Sequence, residues 1–124
     1  MFDFLKRLFA EPSQIVMGET NRDLVAGISI ARSRHWPSVR EKFLNDHPVC
    51  EVTGSRQNLE VHHIMPFHLV PALELAESNL ITLTRDVHFL FGHLGDWRSY
   101  NPSCVRDVIE WRKKIKLRPR WDGK

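Results

Sequence analysis

The sequence predicts an α+β domain in which a short two-stranded hairpin leads into a helix, with further helices on its flanks. Three observations predict it. Residues 59–64 and 79–83 are two short runs rich in strand-favouring side chains. Residues 85–94 place Val87, Leu90, Phe91 and Leu94 at helical spacing. Strand, connection, strand and helix follow one another in that order, and the informative polar residues fall inside this stretch.

Taken in order, the chain opens on Phe2, Phe4, Leu5, Leu8 and Phe9 at helical spacing, a short amphipathic helix. Pro12 and the polar stretch 18–23 then read as a linker, so residues 1–24 form an N-terminal segment and 25–124 the main domain. Residues 36–44 predict a helix with Pro37 in its first turn, where a missing N–H costs little. Trp36, Val39, Arg40 and Phe43 share one face of it. Residues 50–54 read as a knuckle or turn. The first strand is stopped by Pro66, and 67–77 is a long connection with a helical turn through Leu73. Gly95 is a natural helix stop, and 105–115 predict a last amphipathic helix carrying Val105, Val108, Ile109 and Trp111.

At 124 residues the chain is one domain with an extension. Two cysteines, Cys50 and Cys104, are too few for a disulfide framework or a four-thiolate zinc site, which makes a reducing cytoplasm the expected compartment. No apolar run reaches membrane-spanning length. The N-terminus is broken by three charges and does not read as a signal peptide. The net charge is only +3 but unevenly placed: residues 105–124 hold eight basic side chains against three acids. Arg32, Arg34, Arg40 and Lys42 form a second basic cluster. Such patches fit a nucleic-acid footprint, and equally fit solvated helix faces.

The chemistry-bearing residues are His62 and His63 on the first strand, Asn79 opening the second, and His88 and His93 on the helix. Imidazole suits zinc and other borderline divalent ions, and it titrates near neutral pH. A metal ion with a neutral imidazole suffices to hydrolyse a phosphodiester. Asn79 can fix the base through backbone bonds, or can supply an oxygen to the metal. His93 can add a ligand, contact phosphate or cap the last turn. Neighbours in a strand point to opposite faces, so His62 and His63 serve one phosphate only if the strand ends, twists or bulges there. Arg98, Arg112, Lys113 and Arg118 are candidate phosphate contacts.

Glu60-Val61-His62-His63-Ile64-Met65-Pro66, then Ser78-Asn79-Leu80-Ile81-Thr82-Leu83, then Val87-His88, resembles the HNH endonuclease family with its ββα-metal fold. The resemblance spans residues 32–104. It implies His63 as general base, His62 and His88 as metal ligands and Asn79 as the middle residue of the motif. The implied reaction is hydrolysis of DNA with one divalent ion, Mg²⁺ or Zn²⁺, Mn²⁺ or Ni²⁺, leaving 5′-phosphate and 3′-hydroxyl ends. Double-stranded DNA is slightly favoured, and specificity is weak or set by a protein partner. Many relatives clamp a structural zinc with two Cys-x-x-Cys pairs. Here those positions are Cys50 and Thr53, then Thr84 and Val87, so no structural zinc is expected. A nucleic-acid or partner-binding module that lost the chemistry is the alternative. A zinc hydrolase of another class lacks its His-Glu-x-x-His helix.

Overall fold

The computed structural model describes residues 31–123; the expected N-terminal helix and linker lie outside them. The described chain is mixed α and β. Helix α1 (Trp36–Asp46) is followed by the strand β1 (Leu59–His63) and the strand β2 (Leu80–Thr84). Helix α2 (Arg85–Val87) runs directly into a π-helical turn at His88–Gly92, and α3 (Cys104–Lys116) closes the domain. Single 3₁₀ turns at Pro71–Leu73 and Glu77–Asn79 shape the connection between the strands.

The two strands pair antiparallel with Leu59 opposite Thr84, Val61 opposite Thr82 and His63 opposite Leu80. The ladder is regular to its last pair and is extended at both ends by Ile64 N–H to the Asn79 carbonyl and Arg85 N–H to the Asn58 carbonyl. Directly opposed residues share a face of the hairpin, so the register sorts every side chain. Val61 and Leu80 pack with Phe43, Trp36 and Val39 of α1 on one face. Ile81 and Leu83 pack with Cys104 and Val108 of α3, with Cys50 and Val52 of the knuckle, and with Val87 and Phe91 on the other. The hairpin is thus the middle layer between α1 and the α2–α3 side. This explains why β2 reads as a continuous apolar run: four of its five residues are buried.

The knuckle is tied down by backbone and side-chain bonds. Cys50 N–H bonds to the Ser55 carbonyl, Glu51 N–H to the Thr82 carbonyl, and the Thr82 hydroxyl donates to the His47 carbonyl at 2.8 Å. Thr84 caps α2, its hydroxyl accepting from Val87 N–H. In α3 the basic residues Lys113, Lys114 and Lys116 sit in the last turn, where they complement the helix dipole. No helix of the described residues is long and apolar enough to cross a membrane.

Leu83 has no exposed surface and faces the α3 side of the hairpin. Leu83→Ala leaves a cavity there and is expected to cost about 2–5 kcal/mol. The midpoint of urea unfolding measures it; a loss within error would mean that the hairpin is not the core layer.

Candidate metal centre and its adjoining histidine

Glu60 and His62 stand on the β1 face that meets the π turn. That turn solves a spacing problem. His88 and His93 are five residues apart, and on an α-helix that spacing leaves them about 140° apart around the axis. A π turn closes its bonds from i to i+5 and sets residues five apart on one face. The rings of His62, His88 and His93 accordingly form a triangle with centroids 4.9 Å, 5.1 Å and 4.9 Å apart. They are a group able to hold a metal ion, their ligand atoms lying within 4.8 Å of one another.

The hydrogen bonds assign the tautomers. His88 Nδ1 lies 3.1 Å from a Glu60 carboxylate oxygen, and His93 Nδ1 lies 2.7 Å from the Ser99 carbonyl. Both partners only accept, so both Nδ1 atoms carry the proton. A neutral ring then presents a bare lone pair at Nε2, and these two Nε2 atoms face each other at 3.2 Å. Two bare lone pairs at that distance repel, and a proton on one ring or a metal ion between them removes the repulsion. For a tetrahedral ion with zinc-to-imidazole bonds the expected nitrogen separation is about 3.3 Å. His62 completes the set: it is 2% exposed, and its Nε2 is buried with no hydrogen-bond partner. Burial, then the neighbouring His88, His93 and His63, push the His62 pKa down to about 3. Burial also lowers that of His88, against the pull of Glu60. Both rings are therefore neutral at pH 7, the state in which imidazole ligates metal.

Several residues that sequence inspection did not single out hold this triangle. Glu60 orients His88 with one carboxylate oxygen and accepts from Arg85 with the other at 3.1 Å. The chain leaves the π turn through Leu94 at φ 55° and Gly95 at φ 80°. Helical partners for the last carbonyls are then missing, and Asn101 replaces them. Its Nδ2 donates to the Phe91 carbonyl at 2.8 Å and its N–H to the Gly92 carbonyl at 2.9 Å. Gly92 is required by contact: a Cβ there would lie 2.8 Å from two atoms of the His62 ring. The Trp97 ring covers the outer side, 5.2 Å from His88 and 4.9 Å from His93.

His63, the next residue, sits on the opposite face of β1. The strand neither bulges nor twists out of register; it ends at His63, and a cavity of about 460 Å³ at that end is lined by both histidines, with His88 and His93. The His63 ring lies against Trp36, centroids 4.4 Å apart. Its Nε2 donates to the Glu74 carbonyl at 2.9 Å, which leaves Nδ1 as the basic nitrogen. Burial, the largest cause, lowers its pKa although the Glu74 carbonyl bond raises it, so this ring too is neutral at pH 7. The Glu74 carboxylate is itself held by Ser33 N–H at 2.8 Å and by Arg32 at 3.0 Å.

The Asn79 side chain bonds to no histidine and does not line the cavity. It is 5% exposed, accepts from Met65 N–H at 2.8 Å, and donates to the Met65 carbonyl at 3.0 Å and the Leu73 carbonyl at 3.2 Å. It staples the two ends of the 65–79 connection, the loop that supplies the carbonyl for His63. Of the basic candidates, Arg98 lines the cavity. Arg112 is paired with Glu51 at 3.4 Å and lines a separate hollow behind the knuckle. Lys113 is exposed on α3, and Arg118 donates to the Ile115 carbonyl at 2.9 Å, away from the histidines.

No protein family, curated protein or solved structure matches the chain.

Two predictions follow from this packing. Gly92→Ala pushes the His62 ring off its place, and zinc affinity measured by competition with a chromophoric chelator is expected to fall roughly 10–100-fold. Unchanged affinity would mean that His62 is not a ligand. Without metal, the neutral His62 ring also ties stability to pH. Its folded pKa of about 3 lies below the ordinary 6.5, so its contribution is complete above pH 6.5 and is lost as pH falls from there toward 3. In urea titrations with chelator present, wild type should lose stability relative to His62→Asn with a slope approaching about 1.4 kcal/mol per pH unit. Parallel curves would exclude a buried neutral His62.

Proposed function

We propose that the chain is a metal-dependent endonuclease of the HNH kind, acting on the phosphodiester backbone of DNA. The observation that carries this reading is the pairing, at one cavity, of three inward-facing imidazoles with a fourth neutral imidazole whose own free nitrogen is Nδ1. His62, His88 and His93 would hold one divalent ion. A donor set of three imidazoles fits a borderline ion such as Zn²⁺, Mn²⁺ or Ni²⁺ better than Mg²⁺, which takes oxygen ligands. When bound, such an ion supplies positive charge for the phosphate and for the departing 3′-oxygen.

The protein's own groups do the rest. His63 Nδ1 takes a proton from water, whose oxygen attacks phosphorus; the P–O3′ bond breaks, leaving a 5′-phosphate and, once protonated, a 3′-hydroxyl. The Glu74 carbonyl fixes the tautomer that makes this possible, and Trp36 fixes the plane of the ring. Asn79 acts through the loop it staples, as a positioning residue. The order of histidine, asparagine and histidine along strand, strand and helix is that of the resembled family. Backbone and shape are what such a shallow site reads, so cleavage is weakly specific, on duplex DNA above all, or directed by a protein partner.

Nicking of supercoiled plasmid tests the reading. Wild type with Zn²⁺, Mn²⁺ or Ni²⁺ is expected to nick and EDTA to stop it. His63→Ala is expected to lower the rate roughly 10²–10⁴-fold with metal affinity unchanged. Absence of nicking with every ion would overturn the nuclease reading, and a parallel loss of metal affinity in His63→Ala would overturn the role of His63 as base.

A further inference from the structure

Among the described arginines only Arg40 and Arg112 are partly buried; the others are exposed. Arg112 is answered by Glu51. Arg40 has no ion-pair or hydrogen-bond partner among the described residues. Its position makes this odd. Arg40 lies one turn after Trp36 and three residues before the buried Phe43, on the face of α1 turned toward the hairpin. It lines the same cavity as His62 and His63. Its guanidinium nitrogens are reached by solvent in the cavity and are held by no carboxylate of the described residues, which leaves the fork open to an anion. The other cavity arginines differ. Arg32 is engaged by the Glu74 carboxylate and flanked by the Trp36 and Phe67 rings. Arg98 is fully exposed at the rim, 3.7 Å from Asp96.

We propose that Arg40 is the anion-gripping side chain of this cavity, its guanidinium binding a backbone phosphate of a nucleic-acid strand that crosses the histidine cluster toward Arg98. The planar fork of arginine suits two phosphate oxygens at once. α1 stands against β1 beside His63, so the grip falls on the side of the base, opposite the metal ligands. The substrate supplies the partner that the described residues do not. This assignment rests on the nuclease reading for its ligand, and on burial and pairing alone for the site.

The test uses the full chain with EDTA present, so that nothing is cleaved. Anisotropy of a short labelled duplex, and of its single strand, is titrated between about 50 and 200 mM salt. Arg40→Gln is expected to weaken binding roughly tenfold at the low end and to reduce the salt slope by about one phosphate. Arg112→Gln should change neither. The melting temperature of Arg40→Gln should stay, because no ion pair of the free protein is removed; a fall together with an unchanged salt slope would make Arg40 a packing residue and overturn the proposal. A parallel titration with inorganic phosphate follows the Arg40 Nε–H resonance, which is expected to shift and saturate. Saturation by phosphate without binding of either oligonucleotide keeps Arg40 as an anion site and removes the nuclease reading. Oligonucleotide binding indifferent to Arg40→Gln leaves the nuclease reading and removes the role of Arg40. Failure of both ligands to bind overturns the two together.

Discussion

Two imidazole nitrogens that face each other at 3.2 Å, each on a ring whose other nitrogen is held by an acceptor, set the terms for the rest of this structure. Bare lone pairs in that arrangement would repel, and a third ring, His62, is buried beside them with an unsatisfied nitrogen of its own. Buried polar atoms are costly unless partnered. The fold nevertheless commits several elements to holding them there: Glu60 behind His88, the Ser99 carbonyl behind His93 and Gly92 beneath His62. Partners placed behind the rings of His88 and His93 leave, with His62, a group that could hold a metal ion.

The π turn is the backbone counterpart of that constraint. A regular helix would carry His93 away from His88, and the extra residue in the turn brings it back. The local cost is visible in the exit, where Leu94, a residue with a Cβ, takes a positive φ and two carbonyls lose their helical partners. Asn101 recovers both carbonyls and is joined to Asp107 of α3, which anchors the turn to the core helix. A buried asparagine in a loop after the helix thus helps keep a pair of histidines in register.

The hairpin divides the chemistry. Because β1 stays regular to its last residue, consecutive histidines fall on opposite faces: His62 joins the π turn and His63 joins α1. They meet again only at the strand end, where one cavity is open to both. The same alternation gives the two rings, in the proposed reaction, different tasks. His62 and His88 belong to the group that could hold a metal ion, whereas His63 spends Nε2 on a carbonyl and keeps Nδ1 basic. α1 contributes to the second face alone, through the ring of Trp36 and the side chain of Arg40.

Much of this was legible in the residues. Helical spacing located α1 and α3, and runs of strand-favouring side chains located both strands, to within two residues, because burial on a helix stripe or a hairpin face selects those patterns. The imidazole cluster was visible as residue types, although His93 was not separable from a helix cap, since its role depends on a π turn that no period in the chain announces. Local composition could not distinguish Arg98, which reaches the cavity, from Arg112, Lys113 and Arg118, which do not. Nor could it select Arg40 from its basic neighbours, or reveal Glu60, Gly92, Asn101 and Glu74 as supports, because each acts across gaps of many residues. The sequence by itself determined which side chains can ligate, titrate or pack, and on which elements they ride. Which nitrogen of each ring is free, which charges find partners and which rings converge was decided only by the tertiary structure, since those depend on contacts between residues far apart in the chain.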